Sequence, residues 1–188
     1  MTSMDRETRS TWLMDHARRP RHRGALPDAD ARMPGGNPGC GDIVTIHLKA
    51  DTAEDRVAAV SFEGTGCTLS QAAASILTEL TNGRRLTFAE VERFAFEEMM
   101  DLAGREVAAA RPRCATLALS TLKAAVKVVA TNRRLQAAGH SDAGIAALRQ
   151  APTASAPGTG LVPCKVAERT RGVVPRRQPP GSTPASVP

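Results

Sequence analysis

Three cysteines in the body of this chain are the residues best suited to do chemistry. Cys40, Cys67 and Cys114 are separated by 27 and 47 residues. We expect an intracellular chain, and in such chains cysteines are more often metal ligands or reactive thiols than disulfide partners. A fourth cysteine, Cys164, lies in a Pro-rich stretch and is assigned no role. The working set is therefore three thiols.

A carboxylate accompanies the first of these thiols. Asp42 follows Cys40 by two residues, so in an extended segment the two side chains leave the same side of the backbone. Three thiolates and one carboxylate suit tetrahedral zinc or a small iron–sulfur cluster. The spacing matches no compact zinc finger or ribbon. On spacing alone, a metal site and a set of buried, inert cysteines both stay open.

The predicted elements place all three thiols where a thiolate is favoured. Cys67 and Cys114 begin predicted helices and Cys40 ends a Gly-rich loop, positions where backbone N–H groups favour negative charge. Apolar periodicity and turn residues predict the following elements: a helix over 5–18, a loop over 24–41 with room for a short edge strand, antiparallel strands over 43–50 and 56–62 joined by a turn at 51–55, and helices over 67–83, 87–101 and 112–138.

Alternation along the two clear strands predicts which side chains face the core. The inward set is Val44, Ile46, Leu48, Ala58, Val60 and Phe62. His47 falls on the polar side of its strand, so we expect it to face solvent.

Other polar residues carry weaker signals. His16 and His22 stand among arginines, a setting more typical of surface or hydrogen-bonded histidines than of ligands. Ser70 and Ser75 lie on the helix after Cys67, and the sequence places no histidine and acid beside them, so neither is predicted to be a nucleophile. Residues 64–66 read Gly-Thr-Gly without a following Gly-Lys-Ser or Gly-Lys-Thr, which leaves nucleotide binding unsupported.

Composition indicates one folded domain and a tail. The chain has 188 residues, a length that suits a single domain. Residues 137–188 carry six basic and two acidic side chains, eight of the 13 prolines and no aromatic residue. We therefore expect a domain over 1–138 and a basic, largely disordered tail over 139–188. With no long apolar run and no leader pattern, we expect a cytoplasmic protein that does not enter a membrane.

Three segments together resemble the signature of one protein family. They read Gly-Asn-Pro-Gly-Cys-Gly-Asp at 36–42, Gly-Thr-Gly-Cys-Thr-Leu-Ser at 64–70 and Arg-Cys-Ala-Thr-Leu at 113–117. In this order they resemble the iron–sulfur cluster assembly proteins of the SufU, IscU and NifU N-terminal-domain family. The Asp15-His16 pair resembles an N-terminal motif of the same family, and the likeness covers about residues 8–130. It implies an α+β fold in which helices cover one face of a small antiparallel sheet.

The resemblance also implies a site and a role. Cys40, Asp42, Cys67 and Cys114 would hold zinc, or iron and a 2Fe-2S cluster. A SufS-like cysteine desulfurase would supply sulfur as persulfide, and acceptor apoproteins or other Suf components would receive sulfur or a nascent cluster. Cys40 corresponds to the thiol that accepts persulfide in SufU-like proteins.

The branch within the family depends mainly on Arg113. IscU-type scaffolds have a histidine before the last cysteine, whereas SufU-type proteins have a basic residue there, so the SufU-like branch is favoured. A guanidinium has no acceptor, so Arg113 is expected to act by its charge rather than as a ligand. The segment from Cys67 to Cys114 is closer in length to IscU. Whether the protein is an enzyme stays open.

Three hypotheses follow from these residues. The first is a scaffold or sulfur carrier for cluster assembly, and the second is a dedicated zinc-dependent sulfurtransferase that holds no cluster. The third and most remote is a structural zinc module whose basic tail binds nucleic acid.

Overall fold

The structure is a computed structural model that describes residues 5–141 and 143–144. Its elements in chain order are α1 (Arg6–Arg18), β1 (Ala31–Asn37), β2 (Asp42–Ala50), β3 (Val57–Thr65), α2 (Thr68–Arg84), α3 (Phe88–Arg93), α4 (Phe96–Leu102), α5 (Arg105–Ala110) and α6 (Pro112–Ala137). The predicted first helix, the two strands and the long last helix are all present.

The three strands form one antiparallel sheet in the order β1-β2-β3. The edge strand β1 lies within the segment predicted to be mostly loop, and it contains Pro34. Proline has no N–H to donate to a sheet, so an edge strand is where it is tolerated. Asn37 at the end of β1 pairs with Asp42 at the start of β2, so the β1–β2 turn carries Cys40 between two paired residues.

Helices α2 and α6 pack against the sheet and close the core. The largest fully buried side chains of the sheet are Ile46, Leu48 and Phe62, and Leu119 and Leu122 of α6 are equally buried. Helix α1 packs on α2, while α3, α4 and α5 pack on α6. The fold is thus α+β with a small antiparallel sheet covered by helices, as the sequence predicts.

The inward face of β3 differs from the prediction at its start. Ala58 is exposed and Val57 is fully buried, whereas Val60 and Phe62 face the core as expected. The pairing of β2 with β3 shifts at Ala50, which pairs with Val57. A one-residue shift moves a side chain to the other face of a strand, and simple alternation cannot reveal where it occurs.

The prediction that His47 faces solvent is wrong. His47 is only 3% exposed, and its Nε2 lies 2.9 Å from Glu63 Oε2. It sits on the central strand, with Arg32 and Ser61 as its partners in the flanking strands. A polar position on a central strand has neighbours on both sides, which a single strand pattern does not show.

The helical region before α6 is also more broken than predicted. The predicted continuous helix over 87–101 is divided into the two short helices α3 and α4, and a Thr87–Glu90 capping box opens the first of them. Phe94 has ψ 113° and ends α3 there. Helix α2 continues through Gly83 and ends at Arg84, and the capping residue Arg85 adopts the left-handed conformation with φ 49°.

Helix α6 is long and apolar enough to cross a membrane by length and composition, and 56% of its most apolar window is buried inside the protein. Buried core helices of soluble proteins have the same character. Met1–Ala151 forms one compact unit. Residues 1–4, 142 and 145–188 lie outside the described residues, and so do most of the predicted tail over 139–188 and Cys164.

Candidate metal centre

Cys40 is exposed on the turn between β1 and β2. The backbone N–H groups of Cys40 and Gly41 both donate to the carbonyl oxygen of Asn37, at 3.1 and 2.9 Å. Gly41 has φ +70°, a conformation that favours glycine. The segment from Cys40 to Asp42 is therefore a tight turn and not the extended stretch considered from the sequence, yet it still brings both side chains to one site.

Asp42 is the buried carboxylate of the site, at 1% exposure. Its Oδ1 accepts the backbone N–H of Cys67 at 2.8 Å, and its Oδ2 lies 3.8 Å from Cys67 Sγ. A Cβ placed on Gly66 would lie 2.7 Å from Asp42 Oδ1 and 2.5 Å from Ser70 Oγ. Glycine at 66 is thus required for the carboxylate to reach the start of α2.

Cys67 caps the N-terminus of α2, a position usually taken by Ser, Thr, Asp or Asn. Its Sγ accepts the backbone N–H of Ser70 at 3.5 Å. Burial raises the pKa of Cys67, but hydrogen bonds from Ser70 outweigh it and the net pKa lies below the usual range. The negative form of this sulfur is favoured because helix N–H groups point at it.

Cys114 lies in the first turn of α6 and is 1% exposed. Its Sγ is 3.4 Å from Cys40 Sγ and accepts a hydrogen bond from Asn37 Nδ2 at 3.4 Å. Burial raises the pKa of this thiol strongly, and hydrogen bonds to Asp42 and Cys40 add to the effect. Without a cation Cys114 is accordingly held as a thiol.

Three of the four predicted donor groups are spaced closely enough to share one metal ion. The donor atoms of Cys40, Asp42 and Cys114 lie within 4.8 Å of one another, and Cys67 lies beside this group with its Sγ 3.8 Å from Asp42 Oδ2. Zinc–sulfur bonds of about 2.3 Å in a tetrahedron separate the sulfurs by about 3.8 Å, close to the 3.4 Å between Cys40 and Cys114. Cys40, Asp42 and Cys114 are therefore placed to share one metal ion, and the soft thiols equally suit iron in a cluster. Cys67 as a fourth ligand stays a prediction.

Arg113 stands immediately before Cys114, and its side chain is exposed. It lines a cleft of about 200 Å³ together with Asn37, Pro38 and Leu117. From this position a permanent cation borders the site without being a ligand. Electrostatic support of the thiolates by Arg113 stays a prediction.

Two contributors to the site were not predicted from the sequence. Asn37 donates to Cys114 across 77 residues of chain, a contact that no local pattern could indicate. Ser70 donates its backbone N–H to Cys67 three residues earlier. The N-cap spacing could have indicated this second contact, because N-cap side chains usually bond to the N–H of the second or third helical residue.

A serine, a histidine and an acid do come together elsewhere. His16 Nδ1 lies 2.9 Å from Ser75 Oγ, and His16 Nε2 lies 3.6 Å from Glu79 Oε2. Ser75 is fully buried and its Oγ also accepts the backbone N–H of Arg21. No substrate can reach this hydroxyl, so the group fastens α1 and the segment after it to α2. The structure thus places a histidine and an acid near Ser75, which the sequence did not indicate, within a buried contact between helices.

Comparison of the sequence with known proteins finds a single family across most of the chain. The model of the NifU-like N terminal domain matches residues 8–135. The iron-sulfur cluster assembly scaffold protein IscU of Streptococcus pyogenes is 33% identical over 138 residues, which is 65% of this chain and 85% of that protein. The zinc-dependent sulfurtransferase SufU of Bacillus subtilis is 33% identical over 129 residues, 61% of this chain and 86% of that protein.

Solved structures agree on the fold. A hypothetical protein of 29% identity, covered over 98% of its length and matching 64% of this chain, has a TM-score of 0.51. The N-terminal part of a NifU-like protein from Brucella abortus, at 21% identity, covers 62% of this chain and 90% of its own, with a TM-score of 0.53. These structures share the fold, and the family match over residues 8–135 shows that the chain belongs to the NifU-like N-terminal domain family.

Proposed function

We propose that this protein serves iron–sulfur cluster assembly by binding metal through Cys40, Asp42, Cys67 and Cys114 and by accepting persulfide sulfur from a cysteine desulfurase. The observation that carries the proposal is the convergence of Cys40, Asp42 and Cys114, whose donor atoms lie within 4.8 Å of one another, with Cys67 Sγ 3.8 Å from the Asp42 carboxylate. They come from the β1–β2 turn, the start of β2 and the starts of α6 and α2. Relatives named both as cluster scaffolds and as a sulfurtransferase support the same area of function.

The thiols differ in access, and this assigns their roles. Cys40 is exposed on its turn, whereas Cys114 is buried and Cys67 is intermediate. A bulky protein donor reaches an exposed thiol first, so Cys40 is the proposed acceptor. The other two thiols and Asp42 remain as the anchored part of the site.

The transfer step is a thiol–persulfide exchange. The Cys40 thiolate attacks the outer sulfur of the desulfurase persulfide, a new sulfur–sulfur bond forms at Cys40, and the desulfurase cysteine leaves as a thiolate. No net oxidation or reduction occurs in this exchange. Two reductant thiols then convert the Cys40 persulfide to the free thiol and sulfide, and become a disulfide.

The residues around Cys40 prepare it for this step. Bound zinc would keep the thiols deprotonated near neutral pH. Asp42 orients the site through its hydrogen bond to the Cys67 N–H. Arg113, exposed at the start of α6, would attract the anionic persulfide of an approaching partner.

The second candidate is a dedicated zinc-dependent sulfurtransferase that never holds a cluster. Arg113 favours it, because a residue without an acceptor atom precedes Cys114 where a scaffold of the IscU type would have a histidine ligand. In the scaffold candidate, iron and sulfide are cargo built on the same four residues. The acceptor proteins and a cytoplasmic location belong to both proposals.

The test is sulfide production by a SufS-like cysteine desulfurase with cysteine and a reductant, in the absence of iron. Zinc-loaded protein is expected to stimulate sulfide release strongly, and Cys40→Ala is expected to abolish the stimulation. Cys164→Ala is the matched control and should behave as the unaltered protein. If the zinc-loaded protein does not stimulate sulfide release, while the same desulfurase is active towards another acceptor, persulfide acceptance is contradicted. Cluster binding would then be tested by anaerobic reconstitution.

A further inference from the structure

The sulfur atoms of the site differ in the hydrogen bonds that they receive. Cys67 Sγ accepts the backbone N–H of Ser70 at 3.5 Å, and Cys114 Sγ accepts the side-chain amide of Asn37 at 3.4 Å. Within the described part of the chain, the donor to Cys40 Sγ is the Cys114 thiol. Among the described residues, no N–H group donates to Cys40 Sγ.

Asn37 is held so that its amide stays on the sulfur. The residue is 5% exposed and forms the last pair of the β1–β2 ladder, opposite Asp42. Its carbonyl oxygen accepts the N–H groups of Cys40 and Gly41. The turn is held by these backbone hydrogen bonds, whereas the side-chain amide donates to Cys114. A substitution of the Asn37 side chain therefore keeps the backbone hydrogen bonds of the turn.

We propose that Asn37 is a positioning residue that lowers the reactivity of Cys114, so that Cys40 is the thiolate that attacks sulfur. An N–H donor withdraws electron density from a thiolate, which weakens it as a nucleophile and tunes the metal–sulfur bond. Two of the three sulfurs carry such a donor and the exposed one does not. The inference rests on the proposed function, because it concerns the loaded site.

Cobalt(II) provides the direct readout, because it takes the tetrahedral position of zinc and reports each thiolate by a sulfur-to-metal charge-transfer band. In Asn37→Ala the Cys114 sulfur loses its donor, so the band is expected to move to lower energy. Zinc affinity, measured by competition with a chromogenic chelator, is expected to fall about tenfold. Asn37→Asp keeps the shape without the N–H and should shift the band in the same direction.

Alkylation of the zinc-loaded protein by a small electrophile, followed by peptide mass spectrometry, measures selectivity. The unaltered protein should be modified at Cys40 first. In Asn37→Ala the ratio of Cys114 to Cys40 modification is expected to rise several-fold. Asn82→Ala is the matched control, since the Asn82 amide bonds to both the N–H and the C=O of Val60, away from the sulfurs. It should lower the melting temperature without moving the band or the ratio.

The outcomes separate this inference from the proposed function. A charge-transfer band and an alkylation ratio unchanged in Asn37→Ala would overturn the role of Asn37, while sulfide release stimulated by the unaltered protein would leave the proposed function standing. If the unaltered protein shows no thiolate charge-transfer band, the metal site fails and the role of Asn37 fails with it.

Discussion

At the residue scale, the three cysteines of the site differ in exposure and hydrogen bonding because their surroundings differ. Cys40 is exposed on a turn, Cys67 caps a helix, and Cys114 is buried beside a carboxylate and a second sulfur. Helix N–H groups stabilise a thiolate, whereas burial among acceptors stabilises a thiol. The surroundings therefore lower the pKa of Cys67 and raise the pKa of Cys114 within one site.

This difference is testable by alkylation of the metal-free protein across pH. The pKa of Cys67 is lowered by its Ser70 hydrogen bonds against the effect of burial, and the pKa of Cys114 is raised by burial. Cys67 should therefore react at lower pH than Cys114. Peptide mass spectrometry after short pulses of iodoacetamide measures both. Equal pH profiles for the two thiols would contradict the assigned environments.

Asp42 makes a second prediction at this scale. A carboxylate is a harder ligand than thiolate, so it should make a cluster of soft metal ions easier to release. Asp42→Ala is expected to slow cluster transfer to an acceptor apoprotein severalfold. Circular dichroism of the donor and acceptor measures the transfer rate. Asp28→Ala, a change at an exposed carboxylate, is the control. A transfer rate in Asp42→Ala equal to that of the control would count against a release role.

At the element scale, one buried histidine fastens α1 to α2. His16 is 1% exposed, hydrogen bonded to Ser75, and packed edge-on against the Trp12 ring at 4.6 Å. Burial lowers its pKa first and Arg21 adds to this, while Glu79 and Asp15 act in the opposite direction. The neutral imidazole is thus the form that the α1–α2 contact accepts.

A depressed histidine pKa gives a defined pH dependence. Above about pH 6.5 the imidazole is neutral in both folded and unfolded chains. As pH falls below that value the unfolded chain binds the proton first, so stability declines until pH passes below the folded pKa. His16→Gln should show a smaller loss between about pH 7.5 and 5.5 in urea unfolding. His140→Gln, at an exposed position, should keep the full loss, and the same loss in His16→Gln would refute the assignment.

At the scale of the whole molecule, all four candidate ligands lie in the compact unit Met1–Ala151. The ligands come from the β1–β2 turn, the start of β2 and the starts of α2 and α6, which the sheet and its covering helices hold together. Each ligand therefore depends on the integrity of the entire domain. Metal binding and global folding should be coupled for the same reason.

A chain ending at Ala151 tests the domain boundary. We expect it to keep the zinc affinity of the full chain within about threefold and to gain thermal stability on zinc addition to the same extent, because bound metal stabilises the folded state by mass action. Differential scanning calorimetry and chelator competition measure the two quantities. A large loss of affinity on truncation would show that residues 152–188 contribute to the site.

Much of this protein could be predicted because its signals are local. Alternation indicated β2 and β3, and helical spacing of apolar residues after Gly66 indicated α2. Thr87 and Glu90 indicated the start of α3, and Pro112 indicated the start of α6. The four candidate ligands were likewise chosen from short motifs. These patterns arise from interactions between residues within one helical turn or one strand, so they can be recognised in the sequence.

The features that only the tertiary structure decided are contacts between segments far apart in the chain. The burial of His47 depends on two flanking strands, the exposure of Ala58 depends on a register shift, and the amide of Asn37 meets Cys114 only when β1 packs beside α6. The short helices α3 and α4 replace one predicted helix over 87–101, and each of them packs on α6. By itself the sequence determined which residues could bind metal. The packing decided which sulfur is exposed and which carries a donor, because these depend on contacts between residues far apart in the chain.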